Sequence, residues 1–281
     1  MAMWFRLILK LTHTANVRNK MNKQGKTSDG QDKVLVIIGP TGSGKTGLAI
    51  DVALELSRRR GFLPPETAAE VISADSRAIY KDMNIGTAKP TPEEMQGVPH
   101  FGIDLVGPNE RFTVADFKAY AEQKIKEIRS RGHLPIIAGG TGLYVDALIY
   151  NYSFSEKAKK SYSDRDEMCS DFLVIGIDWP RDELRKRLRL RAEKMFEPAI
   201  IDEYKKVAAE YSWDSQAMKS NIYPIIRDMV EGKITREEAI ELFVLDDWHL
   251  AKRQLTWFKR NPNIIWLPLS EAKDYILREL A

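Results

Sequence analysis

Eight consecutive residues carry the clearest chemistry in this chain. Gly39-Pro40-Thr41-Gly42-Ser43-Gly44-Lys45-Thr46 fits G-x-x-x-x-G-K-[ST] at every fixed position. Such a turn closes backbone N–H groups around a cluster of anionic oxygens at a helix N-terminus. Lys45 adds a point charge for a terminal phosphate, and the Thr46 hydroxyl is placed to hold Mg²⁺. The ligand class is a di- or triphosphate. Asp75, in Ser73-Ala74-Asp75-Ser76-Arg77, is the second candidate. A carboxylate facing a phosphate site takes a proton from a nucleophile or stands behind the metal; a loop acid or helix cap is the plainer alternative. Gly139-Gly140-Thr141-Gly142 offers further backbone donors and a hydroxyl, although a tight turn explains it equally well. Arg187 and Arg191, within the run Arg185, Arg187, Arg189, Arg191, share a helix face. They suit a diphosphate clamp or a solvated basic face. Lys252-Arg253-Gln254-Leu255-Thr256-Trp257-Phe258-Lys259-Arg260 interleaves cations with aromatics. That pattern fits an RNA-backbone surface, or a helix whose Trp257 and Phe258 enter the core, the placement expected for those two.

Each of these residues needs an element to hold it. Val34–Ile38 is a continuous apolar run, as in a parallel strand buried on both faces. Leu48, Ala49, Val52, Ala53 and Leu56 then recur at helical spacing. Strand, glycine turn and helix are the context the phosphate motif requires. Val71–Ala74 predicts a short strand that delivers Asp75 at its carboxyl end, where open α/β sheets bind ligands. Leu134–Ala138 predicts a strand running into the second glycine turn. Its end carries no acid of the kind that holds Mg²⁺ in ATPases and GTPases, which argues for another use of the cradle. Loops are predicted at 86–92 and 99–108, and helices at 115–128 and 143–150. Further on come a strand at 172–177, helices near 181–195, 200–211 and 222–231, and a capped helix opening at Ile234-Thr235. A basic helix near 250–259 and a strand at 263–267 close the pattern. The fold class expected is α/β: a P-loop NTPase-like parallel sheet flanked by helices, with a reduced helical appendage.

The chain is long enough, at 281 residues, for one α/β core and a smaller satellite. We divide it into a flexible basic extension (1–33), the first part of the core (34–150), a linker (151–171) and the remaining core with the basic helix (172–281). Residues 1–28 hold Arg6, Lys10, Arg18, Lys20, Lys23 and Lys26 and no acid, so they carry +6 and the remainder of this +3 chain sums to −3. The body is no polycation, and any nucleic-acid contact must be a local patch. Trp4, Leu7, Ile8 and Leu11 form a stripe opposite Arg6 and Lys10, which suits an organelle transit peptide. The reading we prefer is an upstream start, with Met21 the first residue. Cys169 is the sole cysteine, which excludes an intrachain disulfide and fits a reducing, cytoplasmic setting. No apolar run approaches the ~20 residues that span a bilayer, and a monomer is expected. The four histidines form no metal-binding pattern.

Taken in order, the motifs resemble a family. Gly39–Thr46, Ser73-Ala-Asp-Ser-Arg-Ala-Ile-Tyr80 with Met83–Pro90, Gly97-Val-Pro-His100, Ala138–Tyr144 and Ala251-Lys-Arg-Gln-Leu-Thr-Trp-Phe258 are similar to the tRNA dimethylallyltransferases (tRNA isopentenyltransferases). The resemblance runs from about residue 34 to 267. It implies transfer of a prenyl group from dimethylallyl diphosphate to N6 of an adenosine beside the tRNA anticodon. It further implies that Gly39–Thr46 hold the diphosphate with Mg²⁺ and that Asp75 accepts the N6 proton. Thr141 would bond the donor near the scissile bond, and Arg187 or Arg191 would add charge over the diphosphate. Asp75, Ser76, Arg77, Ala78, Thr141, Lys252, Arg253 and Gln254 would face the tRNA. Two departures stand out. The family carries several dozen more residues between Tyr150 and Phe172, including helices that contact tRNA, and its Gly-Tyr-Arg turn reads Ile222-Tyr223-Pro224 here. An adenylate isopentenyltransferase with a free nucleotide acceptor, a P-loop small-molecule kinase and a non-catalytic RNA binder remain as alternatives.

Overall fold

Val34–Ile38, apolar at every position and fully buried, forms the central strand β1. A computed structural model describes residues 33–62, 66–154, 168–219 and 222–281, and the statements that follow concern these. The expectations for residues 1–32, the transit-peptide stripe among them, and for most of the 151–171 linker lie outside the described residues. After β1 come α1 (Lys45–Arg59), β2 (Ala69–Ser73), the short α2 (Pro92–Met95) and β3 (His100–Phe101). Next are α3 (Val114–Ser130), β4 (Leu134–Gly139), α4 (Gly142–Ile149), β5 (Phe172–Asp178) and α5 (Arg181–Met195). The chain ends with α6 (Ala199–Glu210), α7 (Ile222–Val230), α8 (Arg236–Phe258), β6 (Ile265–Pro268) and α9 (Leu269–Glu279).

All six strands are parallel, in the order β3-β2-β4-β1-β5-β6. Side chains alternate across a strand, so β1 feeds two cores at once. Leu35 and Ile37 pack with α1 and α9, while Val34, Val36 and Ile38 pack with α3 and α4. The strands thus read as uninterrupted apolar runs, as they must when helices cover both faces. The fold class is the one expected, a P-loop NTPase-like parallel sheet flanked by helices.

A third core joins α5, α6, α7 and α8 to Ile79, Tyr80 and Met83, the residues that follow the Asp75 turn. Four elements differ from the sequence reading. The predicted 99–108 loop opens with the short strand β3, which pairs with Val71 and Ile72 of β2. The capped helix at Ile234 and the basic helix near 250 are one 23-residue helix, α8. Thr235 and Glu238 form its capping box, and nothing between breaks it. The 86–92 loop runs into α2, where Thr91 and Glu94 form another capping box around Pro92. Beyond β6 the chain adds α9, whose Ala272, Ile276 and Leu277 cover the sheet beside α1.

Candidate active site

Strand register builds the site. Ile38 stands opposite Gly139 and Ser73 opposite Ala138, with β4 between β1 and β2. Neighbouring strands lie about 4.8 Å apart, so the turns after all three leave one sheet edge side by side. Gly39–Thr46, Gly139–Thr141 and Asp75–Arg77 therefore share one crevice, with Thr141 in the middle. Glycine is required where the chains touch: a Cβ on Gly139 would lie 2.2 Å from the Ala74 carbonyl oxygen, and one on Gly142 2.2 Å from Trp257 Cδ1. Gly42 and Gly44 shape the phosphate turn with φ of 73° and 87°, values that disfavour any side chain.

Hydrogen bonds tie the turns together. The Thr141 N–H donates to Ala74 O at 3.2 Å. Thr141 Oγ1 accepts from the Ser76 N–H at 2.9 Å and donates to Ser76 Oγ at 3.2 Å. Asp75 Oδ1 accepts from the Arg77 N–H at 2.8 Å, an Asx turn that fixes the carboxylate. The Arg77 guanidinium reaches Gln216 O at 3.1 Å. Ala78 is buried, and its carbonyl accepts from the Asp104 N–H, so this position offers its loop no free side chain.

Two helices back the phosphate turn. In α5 the apolar face is Leu184, Leu188, Ala192 and Met195, which leaves Arg187 and Arg191 flanking it on the side of the turn. Arg187 Nε donates to Gly42 O at 2.8 Å, and its guanidinium lies 4.6 Å over the Trp179 ring. Trp179 Nε1 donates in turn to Ser43 O at 2.9 Å. Arg191 Nη1 donates to Thr41 Oγ1 and, at 3.3 Å, to Asp247 Oδ2. From α8, Gln254 Oε1 accepts from the Thr41 N–H at 2.7 Å, while Gln254 Nε2 donates to Gly140 O at 3.0 Å. Both ends of that amide are spent on the cradle, so Gln254 joins the phosphate turn to the second glycine turn rather than standing with Lys252 and Arg253, which are exposed. Phe258 is buried and Trp257 partly so, packed on the α3–α4 core as expected.

Lys45 sits at the centre of this charge. Its Nζ donates to Pro40 O at 3.2 Å. Burial pulls its pKa down to about 8; Asp75 opposes that shift, Arg191 adds to it, and Asp247 again opposes it. Lys45 is thus a buried cation that gains from an anionic partner. Thr46, at the second position of α1, is half-buried. Among the described residues no group of three or more His, Cys, Asp or Glu side chains is arranged to hold a metal ion. The Thr46 hydroxyl, in the first turn of α1, is a protein oxygen of the kind that would hold Mg²⁺ together with phosphate oxygens and waters.

Three contributors escaped the sequence reading. Glu203 accepts from the N–H groups of Asn84, Ile85 and Gly86 at 2.8, 2.7 and 2.8 Å and from the Tyr223 hydroxyl at 2.9 Å. It pins the loop after Asp75 to α6, with no local signal in its own neighbourhood. Trp179 holds Ser43 and Arg187. Asp247 did leave a signal: it occupies an otherwise apolar stripe of α8, with Ala239, Ile240, Phe243 and Ala251.

A parallel sheet with a glycine turn and a lysine-headed helix after its central strand, and a carboxylate and a hydroxyl on the adjoining turns, defines an α/β protein of the P-loop type. Sequence models narrow this. One described as IPP transferase matches residues 78–169 and 153–261, and one described as isopentenyl transferase matches residues 32–104. A tRNA dimethylallyltransferase of Acetivibrio thermocellus is 36% identical over 312 aligned positions, which take in 89% of this chain and 96% of that one. The solved tRNA isopentenylpyrophosphate transferase of Bacillus halodurans has a TM-score of 0.74 at 31% identity, covering 89% of this chain and 97% of that one. A eukaryotic dimethylallyltransferase acting on tRNA shares the fold, with a TM-score of 0.68 at 21% identity over 86% of this chain and 74% of that one. The chain belongs to the tRNA dimethylallyltransferase family. Since 89% of 281 residues is about 250, about sixty of the 312 aligned positions carry no residue of this chain. The two overlapping matches that meet at 153–169 put the missing piece between α4 and β5.

Proposed function

We propose that this protein transfers the dimethylallyl group of dimethylallyl diphosphate to N6 of an adenosine next to the tRNA anticodon. The observation that carries this reading is the convergence of Asp75 and Thr141 beside a lysine-bearing phosphate cradle, in a chain of this family. The backbone donors of residues 39–46 bind the diphosphate, with Lys45, Arg187 and Arg191 supplying positive charge. Thr46 holds the Mg²⁺, whose contribution is charge neutralisation on the leaving group. The N6 lone pair forms a bond to the allylic carbon as the bond from that carbon to the diphosphate oxygen breaks. Asp75 takes the N6 proton, and pyrophosphate leaves. An exocyclic amine is a poor nucleophile, so a carboxylate fixed by the Arg77 N–H is of direct use to it. Thr141 already donates to Ser76 Oγ and exchanges that bond for one to the donor. The base must leave its stack to reach the crevice.

Ser76 and Arg77 stand at the acceptor side, and the exposed Lys252 and Arg253 meet RNA phosphates. None of the described helices is long and apolar enough to cross a membrane; we place the enzyme in the cytoplasm, as a monomer. The test is incubation with labelled dimethylallyl diphosphate and either tRNA or AMP. Label in tRNA supports the reading, label in AMP alone assigns a nucleotide acceptor, and ATP consumption without prenyl product assigns a kinase.

A further inference from the structure

Asp247 is a buried carboxylate that the reaction above does not use. Its side chain is 4% exposed, and the other fully buried residues of α8, Ala239, Ile240, Phe243, Ala251 and Phe258, are apolar. Burying a charge is costly unless it is paired, and Arg191 Nη1, the nitrogen that donates to Thr41 Oγ1, pairs with it at 3.3 Å. Asp247 and Gln254 lie seven residues apart, two helical turns, and so on one face of α8. Between them they hold the tip of the phosphate turn twice: Gln254 takes the Thr41 N–H directly, and Asp247 takes the Thr41 hydroxyl through Arg191. Arg187 holds Gly42 O one residue further on, so α5 and α8 together brace Thr41 and Gly42.

We propose that Asp247 is a positioning residue that aims the Arg191 guanidinium at the phosphate turn and thereby sets the affinity for the diphosphate donor. Without it Arg191 has a long, free side chain and only a hydroxyl to bind. A guanidinium already fixed in place loses less freedom when an oxyanion arrives. The inference rests on the donor site described above.

Inorganic pyrophosphate is the probe, titrated calorimetrically into wild type, Asp247→Asn, Asp247→Ala, Arg191→Gln and the Arg191→Gln/Asp247→Asn double variant, each checked for cooperative thermal unfolding. The expected result is that Asp247→Ala and Arg191→Gln each weaken pyrophosphate about tenfold, with Asp247→Asn, which keeps one acceptor oxygen, in between. The double variant loses less than the two single losses combined, because Asp247 acts on the donor in part through that arginine. In prenyl transfer, Asp247→Asn raises the donor KM and leaves kcat at saturating donor within about twofold. Losses that multiply in the double variant, or an unchanged affinity in both Asp247 variants, overturn the proposal while leaving the donor site intact. A wild-type protein that binds no pyrophosphate overturns the donor site itself, and the inference with it.

Discussion

Replacing Lys45 by methionine should make this protein more stable and weaken its hold on the diphosphate. The methionine keeps most of the apolar stem and removes the ammonium, whose pKa burial has pulled from a free lysine's 10.5 to about 8. That interval corresponds to about 3 kcal/mol, the cost of keeping the charge in the fold. That interval already sets the attraction of Asp75 and Asp247 against burial, so the gain is about 3 kcal/mol and Tm rises by a few degrees. The sign follows from proton binding. Between pH 8 and 10.5 the unfolded chain binds the Lys45 proton and the folded chain does not, so wild-type stability gains on the variant as pH rises. The advantage of Lys45→Met is therefore largest below pH 8 and fades above it. The assay is thermal unfolding of both proteins from pH 6.5 to 10, with and without pyrophosphate. Pyrophosphate should raise the wild-type Tm, less so as pH passes 8, and raise the variant's by less. A variant that is less stable at pH 7, or that pyrophosphate stabilises as much as wild type, refutes the reasoning.

Other outcomes follow from the same geometry. Asp75→Ala should lower kcat by about 10²–10⁴-fold, the usual worth of a positioned base, with pyrophosphate affinity unchanged; equal turnover would make Asp75 a loop anchor only. Gln254→Ala removes the link between Thr41 N–H and Gly140 O, so calorimetry should find weaker donor binding, and an effect confined to the tRNA KM would return Gln254 to the RNA surface. Neutralising Lys252 and Arg253 together should reduce the slope of log K for tRNA against log salt by about 1.5, at ~0.7–0.9 per phosphate contact. An unaltered slope would place the RNA elsewhere.

The sheet edge was legible because its signals are local. An apolar run followed by glycines announces a strand, a turn and a helix within a dozen residues, and this holds for Val34–Thr46 and for Leu134–Gly142 alike. Parallel pairing then brought the turns together without any further information. What stayed hidden was set by distant contacts. Gln254 reads as one more polar residue in a basic stretch until Thr41, 213 positions away, is seen against it. Glu203 finds its three N–H donors 117 to 119 residues upstream. Only Asp247, an acid in an apolar stripe, marked itself in the sequence.

The central claim is that the cradle releases pyrophosphate from an allylic donor to an RNA adenine. Mass spectrometry of nucleosides from tRNA incubated with this protein, Mg²⁺ and dimethylallyl diphosphate tests it most directly. The account expects an N6-dimethylallyl adenosine from the anticodon loop, formed together with pyrophosphate. Unmodified tRNA alongside prenylated AMP, or phosphate transfer from ATP with no prenyl product, would contradict it.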